Sequence, residues 1–146
     1  MKTLYLLPAL GLVLLAGCKK DPPDFPVEPS ISFVSYGPRQ VHEFQDSVAF
    51  SIAYEDGDGD LGDGGNGANN LFLIDKRIPL TYGYRLRDLV PGTADVSIQG
   101  VVNFTLPNTV IVGSGNQESA TFEIYLKDQA GHESNHLVTE AITIIR

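Results

Sequence analysis

The stretch Ser47-Val48-Ala49-Phe50-Ser51-Ile52-Ala53-Tyr54 carries a larger apolar side chain at every second position. Successive side chains of a strand point to opposite faces, so a period of two describes a strand with one buried face. Ser30 to Tyr36 alternates in the same way, and Leu71-Phe72-Leu73-Ile74 is a short continuous apolar run. Further strands are expected in Val96 to Leu106, Thr109 to Val112, Ala120 to Lys127 and Leu137 to Ile145. The breaks between them hold Gly, Pro, Asn or Asp, the residues that turns require. Nothing repeats with the 3.6-residue period of an amphipathic helix, and Arg85 to Val90 is the one stretch that could take a turn or two. About seven short strands separated by such breaks predict an all-β sandwich.

The N-terminus follows other rules. Lys2 supplies a positive start, Leu4 to Leu15 form an apolar run broken by Pro8 and Gly11, and small Ala16 and Gly17 follow. That is the layout of a secretory signal, expected over residues 1–17. The run is shorter than the roughly 18 apolar residues of a membrane-spanning helix. Leu15-Ala16-Gly17-Cys18 resembles the lipobox of bacterial lipoproteins. The resemblance implies cleavage before Cys18, a diacylglyceryl group on its thiol and acylation of the new amino terminus. It also implies a place in the cell envelope, on the outer membrane, facing the periplasm or the surface. Cys18 is the sole cysteine, so no internal disulfide can form; the plainer alternative is ordinary secretion with a free thiol. Acyl chains contribute about 0.8 kcal/mol per buried methylene, so two or three of them anchor a protein stably.

Residues 18–29 carry four of the nine prolines and little to bury, which suits an extended stalk. At about 3.1 Å per residue it would span roughly 30 Å. Residues 30–146 form the expected domain. Removal of Lys2 with the signal takes the net charge from −8 to −9. Such a surface repels phosphate, which argues against nucleic-acid partners. It repels anionic headgroups too, so contact with a bilayer should come through the lipid, leaving a protein or a glycan as the partner to expect.

Thr121-Phe122-Glu123-Ile124-Tyr125-Leu126-Lys127-Asp128 runs into Gln129-Ala130-Gly131-His132-Glu133-Ser134-Asn135. This resembles the last hairpin of bacterial Ig-like and cadherin-like modules, where an alternating strand enters an Asp-x-x-Gly-x-x-Ser turn. The resemblance implies an immunoglobulin-like β-sandwich. The chain has no Trp and no cysteine pair, so the hallmarks of antibody domains are missing.

Between Arg39 and Lys76 lie eight carboxylates and no Lys or Arg, and five of the eight fall within Glu55 to Asp63. Like charges at 4 Å repel by roughly 1 kcal/mol even in water. A divalent cation would offset that, and clustered carboxylate oxygens suit calcium, which takes six to eight at flexible angles. The interspersed glycines let the backbone curl so that the acids converge. An EF-hand is not expected: counting from Asp56, Leu61 stands where Gly is needed and Gly67 where the bidentate Glu belongs. In an Ig-like domain the acidic loop and the loop after the penultimate strand share one end. The expected site is therefore Asp56, Asp58, Asp60 and Asp63, closed by Asp128, with Glu55 and Asp75 in reserve. Affinity should be weak, about 10⁻⁴ to 10⁻³ M, as in extracellular modules. The bland alternative is a solvated Gly/Asp loop. Gly64 to Asn70 lacks the Lys-Ser/Thr of a phosphate-binding loop.

His132-Glu133-Ser134-Asn135-His136 matches the zinc-protease pattern His-Glu-x-x-His, which works only on a helix. Here a glycine precedes it and strand residues follow, so the two imidazoles should not converge; His42 is the sole other histidine that could join them. A polar hairpin turn is the simpler expectation. Tyr82 and Tyr84 form the one aromatic pair that could serve as a contact surface. The expected function is a membrane-tethered, non-enzymatic, calcium-stabilised binding or structural module. An accessory glycan-binding lipoprotein and a zinc hydrolase are the alternatives.

Overall fold

A computed structural model describes residues 24–90 and 95–146; the signal, Cys18 and the first part of the stalk lie outside them. Ten strands follow in order: β1 (Ser30–Gly37), β2 (Gln40–His42), β3 (Val48–Asp56), β4 (Leu71–Asp75) and β5 (Leu80–Tyr84) come first. Then come β6 (Ile98–Leu106), β7 (Gln117–Ala120), β8 (Phe122–Leu126), β9 (Leu137–Val138) and β10 (Ile142–Ile145). There is no helix among the described residues. The alternation therefore means what its period suggests, and the protein is all-β.

One layer is the antiparallel sheet β1-β3-β6, in which β3 pairs along its whole length with β6, Val48 opposite Leu106 and Asp56 opposite Ile98. The other layer consists of β5-β4-β8-β9 and β2-β10-β7. These two sheets are stretches of the same chain segments. Only Thr121 separates β7 from β8, and residues 139–141 separate β9 from β10. Thr139, which is buried, bridges the break: its hydroxyl accepts from the Phe122 amide (3.0 Å) and its own amide donates to the Phe122 carbonyl (2.9 Å).

The expected strand from Ala120 to Lys127 is thus two strands bent at Thr121, and the one from Leu137 to Ile145 is likewise divided. Thr109 to Val112 is irregular, and Arg85 to Val90 is an extended loop and bend with no helical turn. The short strands β2 and β5 escaped the pattern because neither alternates over more than five residues.

The inner faces meet in one core. Phe50, Ile52 and Tyr54 of β3 oppose Leu71 and Leu73 of β4 and Phe122, Ile124 and Leu126 of β8, with Val41, Ile142 and Ile144 closing one flank. The Phe50 ring lies edge-on to Phe122 (6.1 Å between centroids) and stacks on Phe104 (5.1 Å). Burying each such side chain contributes roughly 1.5–3 kcal/mol. A packed core of this kind holds the strand ends, and the loops on them, in fixed positions.

Candidate metal centre

The register of β3 decides where its last residue goes. Val48, Phe50, Ile52 and Tyr54 face inward, and the next position of that parity is Asp56, which is 0% exposed. A strand built to bury hydrocarbon thus ends by burying a carboxylate. Its Oδ2 accepts the Leu61 amide (3.2 Å), while Oδ1 is buried with no hydrogen-bond partner. An unpaired buried polar atom costs roughly 1–3 kcal/mol.

The loop then curls back. Gly59 takes a positive φ of 77°, a conformation that glycine adopts without steric cost. Carboxylate oxygens of Asp56, Asp58 and Asp60 come to lie within 4.8 Å of one another. Asp60 Oδ2 accepts the Ala130 amide (3.0 Å), and Asp60 Oδ1, like Asp56 Oδ1, is buried without a partner. Asp128 enters from the turn after β8, which is stitched to the loop by the Gln129 amide donating to the Asp60 carbonyl (3.4 Å). Two acidic loops are thereby joined at one end of the sandwich.

The electrostatics follow from this crowding. Burial, then the charge of Asp58, pushes the Asp56 carboxyl up to about 6, with Asp60 and Asp128 adding to the rise and the Leu61 amide opposing it. Asp60 is raised by burial, Asp128 and Asp58 in that order. His132 is the chain's own counter-charge here: Asp128 accepts its amide (2.7 Å) and its Nδ1 (2.8 Å), and this contact raises the imidazole's pKa.

Of the expected ligands, Asp128 lies outside the group of three with its carboxylate on His132, and others lie apart as well. Asp63 is buried but committed elsewhere: it pairs with Arg85 and accepts the amides of Gly65 (3.3 Å) and Gly67 (3.1 Å). The Arg85 hydrogen bond holds its carboxyl below the usual range. Glu55 is exposed and has the opposite strand parity to Asp56. Asp75 ends β4 some four residues beyond Leu71, roughly 13 Å away along the strand. There it forms a two-pronged pair with Arg77 (3.0 and 2.7 Å).

Tyr82 and Tyr84 stand opposite Leu73 and Leu71 and pack against the core; the Tyr84 hydroxyl donates to the Thr105 carbonyl (3.1 Å). The His-Glu-x-x-His residues lie in the irregular segment between β8 and β9, where Glu133 makes an isolated bridge to Lys127. His132 reaches Asp128, whereas His136 reaches Glu123 (2.6 Å) and stacks on Tyr125 (4.6 Å). Glu133 pairs with Lys127 (3.0 Å), and His42 with Asp46 (2.9 Å).

The turn itself explains its sequence. The Asp128 side chain caps it, Gly131 takes a φ of 95°, and the Ser134 hydroxyl accepts the Leu126 amide (3.0 Å). The Asn135 amide group then behaves like a strand neighbour of β1: Oδ1 accepts from the Ile31 amide (2.7 Å) and Nδ2 donates to the Ile31 carbonyl (2.9 Å).

Two more segments buttress the acidic loop from positions that no local pattern marks. The Val96 amide donates to the Asp58 carbonyl (3.2 Å) and the Ser97 hydroxyl to the Gly57 carbonyl (2.9 Å). From the other side, residues 25 and 26 press on Gly57. The sole local hint was that a glycine separates Asp56 from Asp58. Beside the cluster, a polar depression of about 330 Å³ is lined by Gly62 to Gly64, Asn66, Asn69 and Lys127 to Gln129 among others.

Compared with protein-family models, curated proteins and solved structures, the chain matches none. The site has to be read from its own chemistry. The three clustered carboxylates on a glycine-rich loop are oxygen donors of the kind a hard divalent cation takes.

Proposed function

We propose that this chain is a non-enzymatic, calcium-stabilised binding or structural module, an immunoglobulin-like β-sandwich held in the cell envelope by a lipidated Cys18. The observation that carries the cation is Asp56 Oδ1: fully buried, without a partner, and beside two more carboxylates. A bound calcium ion would give that oxygen and Asp60 Oδ1 the partner they lack, with Asp128 as a further ligand and His132 displaced from it. The lipid rests on the Leu15-Ala16-Gly17-Cys18 motif and on the proline-rich segment that leads from it into β1.

Tyr82 and Tyr84 give little support to glycan binding, since both rings turn toward the core. Zinc hydrolysis has little support either, since His132 and His136 serve different carboxylates. Calcium at ten times its dissociation constant adds roughly 1.4 kcal/mol of stability. For a domain of this size that raises the melting temperature by roughly 3–6 °C over the same protein in chelator. If calcium leaves the melting temperature unchanged and Asp58→Asn is equally silent, the cation reading fails. Labelling with a fatty-acid analogue should tag the expressed chain and be lost in Cys18→Ser.

A further inference from the structure

Gly57 lies between two of the three clustered carboxylates, and its missing side chain is filled by another part of the chain. A Cβ built there would stand 2.3 Å from the Phe25 carbonyl oxygen and 2.5 Å from that of Pro26. Both are backbone atoms, so they cannot swing aside as a side chain would. The segment goes on through Glu28, whose charge acts on His132, and through buried Pro29 into Ser30, which pairs with Glu55. Residues 25–29 therefore form a strap that leads from Gly57, at the acidic end of the sandwich, into the start of β1.

We propose that this strap is a wall of the cation site, so that cation binding and strap docking are one coupled equilibrium. The inference rests on the cation reading above and adds what the cation controls. Two carbonyl oxygens and the Glu28 carboxylate bring negative potential to a loop already crowded with carboxylates. Without a cation their approach is opposed; a divalent cation in the cluster turns the same contact into an attraction. Thermodynamic reciprocity then requires that whatever dislodges the strap weakens cation binding by the same factor by which cation binding secures the strap. Gly57 is the positioning residue of this device. It touches no ion, and any side chain there separates loop from strap.

The test uses the full mature chain and calcium alone as the probe. Hydrogen exchange at the amides of Val27, Glu28 and Ser30 should slow about tenfold on adding calcium, within the range of ordinary coupling. Gly57→Ala should weaken calcium binding about tenfold and abolish that added protection, although every carboxylate is kept. Pro29→Gly, which loosens the strap without touching the loop, should weaken calcium binding in the same direction. If the wild type binds calcium with unchanged exchange in the strap, or if both variants bind it as tightly as the wild type, the coupling is overturned and the cation reading stands. If the wild type binds no calcium, both fall.

Discussion

The two ends of the sandwich each bury carboxylates and treat them in opposite ways. At one end Asp75 and Glu118 share Arg77, which reaches both carboxylates and the Val110 carbonyl (3.0 Å), and almost nothing of the trio is left bare on the Asp75 side. At the other end carboxylate oxygens of Asp56, Asp58 and Asp60 lie within 4.8 Å of one another, while Asp128, outside that group, holds the one histidine found there among the described residues, His132. The first group carries its cation in the chain. The second holds two buried carboxylate oxygens, Asp56 Oδ1 and Asp60 Oδ1, that no hydrogen-bond donor among the described residues reaches. A buried pair with an internal counter-ion is a finished piece of structure, whereas one that lacks it responds to the solution.

Removing Arg77 should break this contrast most severely. Arg77→Met leaves Asp75 buried and unpaired, and should cost about 3–5 kcal/mol of stability in urea melts. Calcium should not restore it; restoration would show that the two ends are not different in kind.

A smaller effect separates the ends by pH. The Asp56 carboxyl is raised from its ordinary value to about 6, so the folded state holds the proton that the unfolded state releases near 3.8. Stability in chelator should therefore fall as pH rises from about 4 to about 6, by about 2 kcal/mol for this group. The drop is read as the difference between the wild type and Asp56→Asn across the pH range. His132, raised by Asp128, acts in the same direction as pH climbs further, because its charged form is favoured in the fold. Saturating calcium should flatten the Asp56 component, since the ion favours the ionised carboxylates. An unchanged slope would place the ion elsewhere.

Arg85 offers a finer cut, because it marks the border between the two treatments within one loop. Arg85→Ala should cost about 1 kcal/mol, as expected for a half-exposed partner of a buried carboxylate. It should also free Asp63 for the neighbouring cluster, which calorimetric titration would register as tighter calcium binding. Smallest of all, Glu133→Gln removes an exposed pair with Lys127 and should change stability by less than about 0.5 kcal/mol. It should leave zinc content at zero in chelator-free preparations; stoichiometric zinc lost in this variant would revive the hydrolase reading.

Much of the layer structure was legible because burial in a strand has a parity. From Phe50, Ile52 and Tyr54, the same count of two reaches Asp56, so even its burial was written in the alternation. Tyr82 and Tyr84 obey the same rule with Leu80 to Tyr84, but a five-residue edge strand was too short to be read as one. The turn from Asp128 to Ser134 was legible because each of its residues acts on its near neighbours. The pairing of Asp63 was illegible for the opposite reason: its partner Arg85 is 22 residues away, and no periodicity connects them. The strap on Gly57 and the bend at Thr121 are likewise products of packing between distant segments.

The clasp of Asn135 on Ile31 has a mechanical meaning. β1 begins at the acidic end, antiparallel to β3, while the C-terminal Arg146 sits at the opposite end beside Glu43. Tension entering through residue 24 and resisted at the far end would run along the axis of β1. Every rung of the β1–β3 ladder would then be strained together, as in a lap joint, instead of parting one rung at a time like a zip. Ile31 is the second residue of that strand, so its two bonds to Asn135 meet the load early and spread it into the opposing layer.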